Sequence, residues 1–147
     1  TIPFHPDNKE LGFRKIVLKG EEGRVEVYIS MKDSKNLKPG SFLRLLELFN
    51  IEILSVNGKY VLAKFAGSSL SEARKRKAPI IQWVPAYENV DVVVKKPVGD
   101  RIVLVKGLAE KSIEKFRENT VVQFYRFGFV RIDKAVNGKY IVYFAHE

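Results

Sequence analysis

Residues 123–133 read Gln-Phe-Tyr-Arg-Phe-Gly-Phe-Val-Arg-Ile-Asp and bring aromatic rings, a glycine and two arginines into one short segment. Aromatic rings and guanidinium planes are surfaces on which unstacked RNA bases rest. In a flat strand Gln123 and Arg126 point to opposite faces, so aiming both at one ligand needs a bend or bulge, which Gly128 makes easier. The segment predicts a base-binding surface on a β-sheet. The alternative is an ordinary strand whose phenylalanines fill the core and whose arginines are solvated.

The charge of the chain favours a partner rich in phosphate. Lysine and arginine number 26 against 17 aspartates and glutamates, which gives a net charge of +9 and a pI near 9.7. A surplus of this kind attracts nucleic acids and acidic surfaces. The surplus is larger in the second half of the chain, which also holds the basic run Arg74-Lys75-Arg76-Lys77.

This basic run lies in residues 67–79, where apolar alternation gives way to small, polar and then basic residues. We therefore expect an exposed connector between two halves of the chain. Four cations in a row can neutralise several phosphates and make RNA affinity fall steeply with salt. The alternative is a solvated basic loop without a ligand.

Catalysis is not expected from this chain. It has no cysteine, and its two histidines, His5 and His146, lie near the two ends of the sequence. Phosphate-loop, nucleophile-elbow and Gly-x-Gly-x-x-Gly patterns are absent, and no pair of carboxylates stands out for acid–base chemistry. We expect no catalytic residue, no metal ligand and no cofactor in this fragment.

A repeat organises the rest of the sequence. Val56-Asn57-Gly58-Lys59-Tyr60-Val61 and Val136-Asn137-Gly138-Lys139-Tyr140-Ile141 are each followed by Phe-Ala. Asn-Gly favours the type I′ turn of a hairpin, and the residues before each turn alternate apolar with polar as half-buried strands do. A duplicated hairpin therefore predicts two related β units, although Asn-Gly turns also recur by chance.

The other segments predict an all-β fold with minor helix. Strand-like runs cover most of the chain, and residues 43–49 are assigned to a strand by their place in the repeat. Only residues 108–119 have a helical pattern. No stretch approaches the roughly 20 apolar residues that span a bilayer, and the first residues carry no signal pattern, so we expect a soluble, cytoplasmic protein without membrane contact. A start at Thr1 suggests a domain taken from a longer polypeptide.

Several separated motifs, in order, resemble the carboxy-terminal anticodon-binding region of the class I glutamyl- and glutaminyl-tRNA synthetases in its archaeal and eukaryotic form. These motifs are His5-Pro6-Asp7-Asn8, Leu11-Gly12-Phe13-Arg14-Lys15, Arg44-Leu45, Leu48-Phe49-Asn50, Ile80-Ile81-Gln82-Trp83-Val84-Pro85, Gly107-Leu108-Ala109-Glu110 and residues 123–133. The Leu48-Phe49-Asn50 and Ile80–Pro85 motifs are more similar to glutamyl than to bacterial glutaminyl enzymes. The resemblance implies two small β-barrels, one formed by residues 1–70 with the strands from about 136, the other by residues 71–135.

The resemblance also implies roles for individual residues. Arg14, Gln123 and Arg126 match positions that read anticodon bases in relatives, especially the central uridine. Lys75 and Arg76 match a basic loop that reaches the third anticodon base and nearby phosphates, and of these two roles we favour the phosphate contact.

Two further implications concern the same segments. Arg74 and Lys77 are expected to contact phosphates. Tyr125 stands where relatives commonly carry a glutamate, so any role of that acid in orienting Arg126 is in doubt for this sequence.

The implied function is binding of the anticodon of tRNA-Glu, with tRNA-Gln left open, in support of ATP-dependent glutamylation by a catalytic domain of the same polypeptide. The implied partners are tRNA and that catalytic domain. Two other readings remain at this point. The chain could be a ribosomal-type β-barrel that binds 5S rRNA, or a protein-docking module of a synthetase complex with Trp83, Tyr87 and the phenylalanines as its apolar patch.

Overall fold

The fold is built almost entirely from strands. A computed structural model describes residues 1–5 and 7–147. Strands dominate it and its helices are short, which confirms the predicted all-β class with minor helix. Packing divides the chain into two compact units, one of Thr1–Glu26 with Val84–Glu147 and one of Val27–Trp83.

The elements follow one another along the chain as short and long strands with two α-helices and two 3₁₀ turns. The strands are β1 (Ile2–Pro3), β2 (Phe13–Arg14), β3 (Gly20–Glu21), β4 (Arg24–Val25), β5 (Val27–Ile29), β6 (Phe42–Leu45), β7 (Asn50–Asn57), β8 (Tyr60–Phe65), β9 (Ile80–Ile81), β10 (Trp83–Pro85), β11 (Asn89–Val98), β12 (Arg101–Glu110), β13 (Val121–Phe124), β14 (Gly128–Val136) and β15 (Lys139–His146). The helices are α1 (Met31–Ser34) and α2 (Leu70–Lys75), and the 3₁₀ turns are Lys9–Leu11 and Lys111–Lys115. Among residues 1–5 and 7–147, no helix has the length and apolar character needed to cross a bilayer.

The first unit is organised around a five-stranded sheet. Its strand order is β12-β11-β15-β14-β13, with β11 parallel to β15 and the other pairs antiparallel. Successive side chains of a strand point to opposite faces, so Val92 and Val94 are buried while Lys95, the next residue along β11, lies on the other face. The buried core consists of Val90, Val92, Val94, Ile113, Val130, Ile132 and Val142.

The second unit contains a four-stranded sheet of order β8-β7-β6-β9, in which β9 is parallel to β6. Its core consists of Leu43, Leu45, Ile53 and Ile81. Trp83 packs against this core and its indole N–H donates to the Leu46 carbonyl at 3.0 Å. The predicted strand over residues 43–49 is found only as far as Leu45, after which the chain turns into β7.

Neither of these sheets closes into a barrel in the part of the chain that the structure describes. β12 and β13 are the two edges of the five-stranded sheet, and β8 and β9 are the edges of the four-stranded sheet. β15, which the sequence reading grouped with residues 1–70, pairs with β11 and β14 instead. The assignment of residues to two barrels stays a prediction.

The repeated hairpins both form, but their turns differ. In the second, Val136 pairs with Lys139, and Asn137 and Gly138 have φ of 51° and 73°, as the type I′ prediction requires. In the first, Asn57 already pairs with Tyr60, so its turn lies one residue later. The two hairpins therefore have similar sequences, but their turns lie at different positions in the repeat.

The helices are not where the sequence pattern placed them. Residues 108–119 were predicted to be helical, yet β12 continues to Glu110, paired residue by residue with β11, and only the 3₁₀ turn Lys111–Lys115 follows. The predicted connector of residues 67–79 contains α2. Ten consecutive cross-strand pairs outweigh a weak local helix preference.

Gly128 permits the sharp approach of β14 to β15. Its φ is 142°, and a Cβ at this position would lie 2.6 Å from Phe144 Cε2 and 2.8 Å from the His146 carbonyl oxygen. An L-residue is disfavoured here both by its backbone angle and by the lack of space. Gly128 therefore fixes how the β13–β14 hairpin joins the sheet.

We expect Gly128→Ala to lower the free energy of unfolding by about 2–4 kcal/mol, because backbone strain and overpacking add. The control is Gly138→Ala, at a φ of 73° with no atom within 4 Å of the new Cβ. The Gly138→Ala variant should lose only about 1–2 kcal/mol of unfolding free energy, because only the left-handed backbone angle disfavours its side chain. Urea unfolding followed by circular dichroism measures both, and equal losses would show that the close contact at Gly128 does not matter.

Candidate nucleic-acid interface

The β13–β14 hairpin carries two of the predicted base-reading residues. Gln123 is exposed on β13 and pairs with Phe129 of β14. Arg126 is exposed in the turn, with a φ of 61°, and the turn is closed by the Phe127 N–H, which donates to the Phe124 carbonyl at 2.8 Å. The required bend is thus a chain reversal, and both side chains belong to one rigid hairpin.

The aromatic residues of this hairpin are divided between its two faces. Phe124 and Phe127 pack against the core, with Phe127 edge-on to Phe144 at a centroid distance of 5.8 Å. Phe129 lies on the other face, where its ring stacks on His146 at 4.6 Å. The core reading is therefore right for two of the three phenylalanines, and the exposed face keeps one aromatic pair.

Tyr125 precedes Arg126 at the tip of the hairpin, and 51% of its area is exposed. A ring and a guanidinium are therefore adjacent at the tip. This is the combination on which a base can stack.

The basic run forms the end of a short, capped helix. The Ser69 hydroxyl accepts from the Glu72 N–H at 3.2 Å and so caps the start of α2. Ala73 is buried and fixes the face that packs inward, while Arg74 and Lys75 are exposed in the last turn. The predicted exposure is found, but on a helix rather than in an irregular loop.

Arg76 and Lys77 end this helix in different ways. The Arg76 guanidinium lies over the Phe42 ring, 3.6 Å from its centroid. Lys77 adopts a φ of 51° and its N–H donates to the Arg74 carbonyl at 3.0 Å, as residues just after a helix do. Arg76 is thereby held in place, whereas the side chain of Lys77 is exposed.

A buried arginine lies behind the helix. Arg44 is only 9% exposed, and its Nη1 donates to Asn50 Oδ1 at 3.0 Å and to the Ser68 carbonyl at 3.1 Å. Its Nη2 donates to the Leu48 carbonyl at 3.3 Å. A buried charge is tolerated only when it is hydrogen-bonded in this way.

Asn50 completes the network and is fully buried. Its Nδ2 donates to the Ser69 carbonyl at 2.9 Å, and its backbone N–H donates to the Gly67 carbonyl at 2.8 Å. The Ala66 N–H in turn donates to the Asn50 carbonyl at 2.9 Å. Arg44 and Asn50 therefore fix residues 66–69, the segment from which α2 starts.

Arg14, the third predicted base reader, is held by a carboxylate. Its Nε lies 2.9 Å from Glu110 Oε1, with side-chain exposures of 18% and 28%. Its Nη1 donates to the Pro3 carbonyl at 2.8 Å, and the Ser112 hydroxyl donates to the same Glu110 carboxylate at 2.7 Å. Arg14 thus fastens the amino-terminal strands to the end of β12.

The structure separates Arg14 from the hairpin. Glu110 pairs with Asn89 at the start of β11, whereas Gln123 lies beyond the row of Lys95 near the other end of that strand. At about 3.3 Å per residue, Glu110 and Gln123 are roughly 25 Å apart along the strand direction. Along the strand direction, the ion pair of Arg14 therefore lies well away from Gln123.

A concave feature of this unit lies near Glu110. It is a shallow depression of about 270 Å³ lined by Lys15, Ile16, Pro85, Glu88, Glu110, Lys111, Ser112, Glu114 and Lys115. Both lysines and glutamates line the depression, so its electrostatic potential does not favour a ligand of one charge. Within residues 1–5 and 7–147, no three acidic or histidine side chains come together as a metal site.

The comparison with protein families identifies the chain. Residues 1–66 match a family model described as "tRNA synthetases class I (E and Q), anti-codon binding domain". A second model of the same description matches residues 80–133, which include the hairpin. Together the two matches take in most of the chain. It belongs to the anticodon-binding domain family of the class I glutamyl- and glutaminyl-tRNA synthetases.

Three curated relatives of this anticodon-binding domain are glutamate–tRNA ligases. The chain is 46% identical over 146 residues to a glutamate–tRNA ligase of Pyrococcus furiosus, 43% to that of Pyrococcus abyssi and, over 147 residues, 38% to that of Caldivirga maquilingensis. Each alignment covers 99% of this chain and 24% of the relative. The chain therefore spans about a quarter of the length of these ligases.

Family membership favours the anticodon-binding reading over the two others. The residues of the supposed docking patch are also engaged within the fold. Trp83 packs on the core, and the Tyr87 hydroxyl donates to the Val17 carbonyl and accepts from the Lys19 N–H.

Sequence reasoning missed the positioning role of Arg44 and Asn50 in this anticodon-binding domain. Both were noted only as parts of motifs. The available signal was a charged residue inside the apolar run Phe42-Leu43-Arg44-Leu45-Leu46, since a charge at a core position requires polar partners.

We expect Arg14→Ala to lower the free energy of unfolding by about 1–3 kcal/mol, because Glu110 and the Pro3 carbonyl lose their donor. Arg24→Ala, at an exposed arginine of β4, is the matched control and should stay within about 0.5 kcal/mol, as should Gln123→Ala. Denaturant unfolding measures all three variants. If Arg14→Ala behaves like Arg24→Ala, Arg14 is not a structural clamp.

Asn50→Ala should lower the free energy of unfolding by about 2–4 kcal/mol, since it removes one of the three acceptors of the buried Arg44 guanidinium and the bond from Asn50 to the Ser69 carbonyl. Asn36→Ala, at an exposed asparagine of the same unit, controls for the change of residue type. The same unfolding experiment compares the two. A loss below 1 kcal/mol for Asn50→Ala would mean that water satisfies Arg44 equally well.

Proposed function

We propose that this chain is the part of a glutamate–tRNA ligase that reads the anticodon of tRNA-Glu. The observation that carries the proposal is the hairpin on which Gln123 and Arg126 are both exposed, inside a segment that matches the anticodon-binding family. The name shared by the relatives supports glutamate as the amino acid.

The chemistry of the hairpin suits a flipped-out base. The glutamine amide offers a donor and an acceptor to a pyrimidine edge, and arginine offers parallel donors or a stacking plane. We assign Gln123 and Arg126 to the central uridine of the anticodon. Tyr125 adds a stacking surface at the tip.

The basic helix contributes contacts of a different kind. Arg74, Lys75 and Lys77 are exposed cations, which suits phosphates, whose contacts set the register of the RNA without reading sequence. The Arg76 guanidinium lies over the Phe42 ring, which orients it and suits a third-base contact better. We keep Arg14 as a contact to a separate nucleotide, secondary to its ion pair with Glu110.

Aminoacylation belongs to the part of the polypeptide outside this chain. We propose that this part carries out ATP-dependent glutamylation and that it contacts the present domain. Acceptance of tRNA-Gln as a second partner is a further proposal, and it rests on the family description, which includes both amino acids.

Binding of the chain to anticodon stem–loops that differ at one base each tests the assignment. We expect Gln123→Ala and Arg126→Lys to weaken binding of the cognate loop by about 1–3 kcal/mol and to reduce the preference for the cognate base. Fluorescence anisotropy at low salt measures both effects. If both variants keep the wild-type affinity and base preference, the base-reading assignment is wrong.

Lys75→Ala serves as the contrasting variant. It should weaken cognate and altered loops equally and lower the slope of log affinity against log salt by about 0.7. Competition with 5S rRNA checks the class of ligand, because a domain that reads anticodons should prefer the stem–loop.

A further inference from the structure

The outer face of the five-stranded sheet carries a row of side chains that the proposed function does not use. Arg131 of β14 pairs with Tyr143 of β15, and Tyr143 pairs with Lys95 of β11. Their neighbours Val130, Val142 and Val94 are buried, so the three paired residues lie on the face away from the core.

The three side chains contact one another through the tyrosine ring. The Arg131 guanidinium lies 5.4 Å and the Lys95 ammonium 5.1 Å from the centre of the Tyr143 ring. Lys95 Nζ also donates to the Tyr143 hydroxyl at 3.3 Å. One ring therefore orients two cations.

Neither cation has an acidic partner. In the part of the chain that the structure describes, no carboxylate lies within 4.0 Å of Arg131 or Lys95. Two positive charges held by one ring and left without a counterion form a site for an anionic group.

The row adjoins the predicted base reader. Gln123 pairs with Phe129, which lies two residues from Arg131 on the same face, or about 7 Å along the strand. Beside Gln123 on this face lies the Phe129 ring, which stacks on His146. A strand of RNA that leaves Gln123 across this face meets first an aromatic surface and then the two cations.

We propose that Arg131, Tyr143 and Lys95 bind the phosphodiester backbone of the nucleotides next to the base held by Gln123. This inference rests on the proposed function. It adds a second contact surface, in which Tyr143 orients the cations and the Phe129–His146 pair supports a neighbouring base. A single RNA strand fits this face because it offers phosphates and bases alternately.

The test is binding of the wild-type chain and the variants Arg131→Gln and Lys95→Gln to a tRNA-Glu anticodon stem–loop over a range of KCl concentrations. Each variant should lower the salt slope by about 0.7, so that its loss of affinity relative to wild type grows about five-fold as the salt falls from about 1 M to about 0.1 M. Cognate and single-base-altered loops should be weakened equally. Arg101→Gln, which removes the same charge beside the β11–β12 turn, is the matched control and should leave the slope unchanged.

The outcomes separate this inference from the function on which it rests. If the wild-type chain prefers the cognate loop but Arg131→Gln and Lys95→Gln behave like Arg101→Gln, the row does not bind RNA and the base-reading proposal stands. If the wild-type chain shows no preference among loops, the proposed function fails and the inference falls with it. Thermal unfolding of each variant confirms that the fold is kept.

Discussion

The alternation of side chains along β14 is the constraint on which the candidate interface depends. Val130 and Ile132 are almost completely buried, so the intervening Arg131 and the preceding Phe129 must face outward. A slip of one residue would bury the guanidinium and expose two core residues. This register also requires a glycine at position 128, because no side chain fits between that residue and Phe144. The position of the whole hairpin therefore follows from core packing.

The second unit positions its cations by a different means. Arg44 occupies a core position and carries a charge there, which costs several kcal/mol unless every donor finds an acceptor. One of its acceptors, the Ser68 carbonyl, belongs to the segment that leads into α2, and a second, Asn50, donates to the Ser69 carbonyl of the same segment. An apolar residue of similar size would fill the space but leave these carbonyls without donors. We therefore interpret the buried charge as the anchor of the basic helix.

Sequence reasoning succeeded where local pattern and tertiary packing agree. The alternation of β14 and the Asn137-Gly138 turn were readable because burial and turn geometry impose the same residues. It failed for residues 108–119, because Leu108–Glu110 belong to a strand that pairs with β11, and no local pattern reveals that partner. The start of α2 was readable in principle, since Ser69 and Glu72 have the spacing of a capping box. The separation of Arg14 from Gln123 could not be read from the sequence, because it depends on the order of strands in the sheet.

The cations of this chain differ in how far they are held before a ligand arrives. Arg76 lies on Phe42, and Arg131 and Lys95 share the ring of Tyr143, so these groups have already lost part of their rotamer freedom. Arg74, Lys75 and Lys77 are exposed and are not stacked on a ring in this way. Groups that are held in advance lose less entropy on binding and favour one geometry of the ligand. Groups that are free adapt to any phosphate. Recognition of one anticodon loop among many similar RNAs needs both, with the fixed cations next to the proposed base readers, and the sheet places Arg131 and Lys95 on the same face as Gln123.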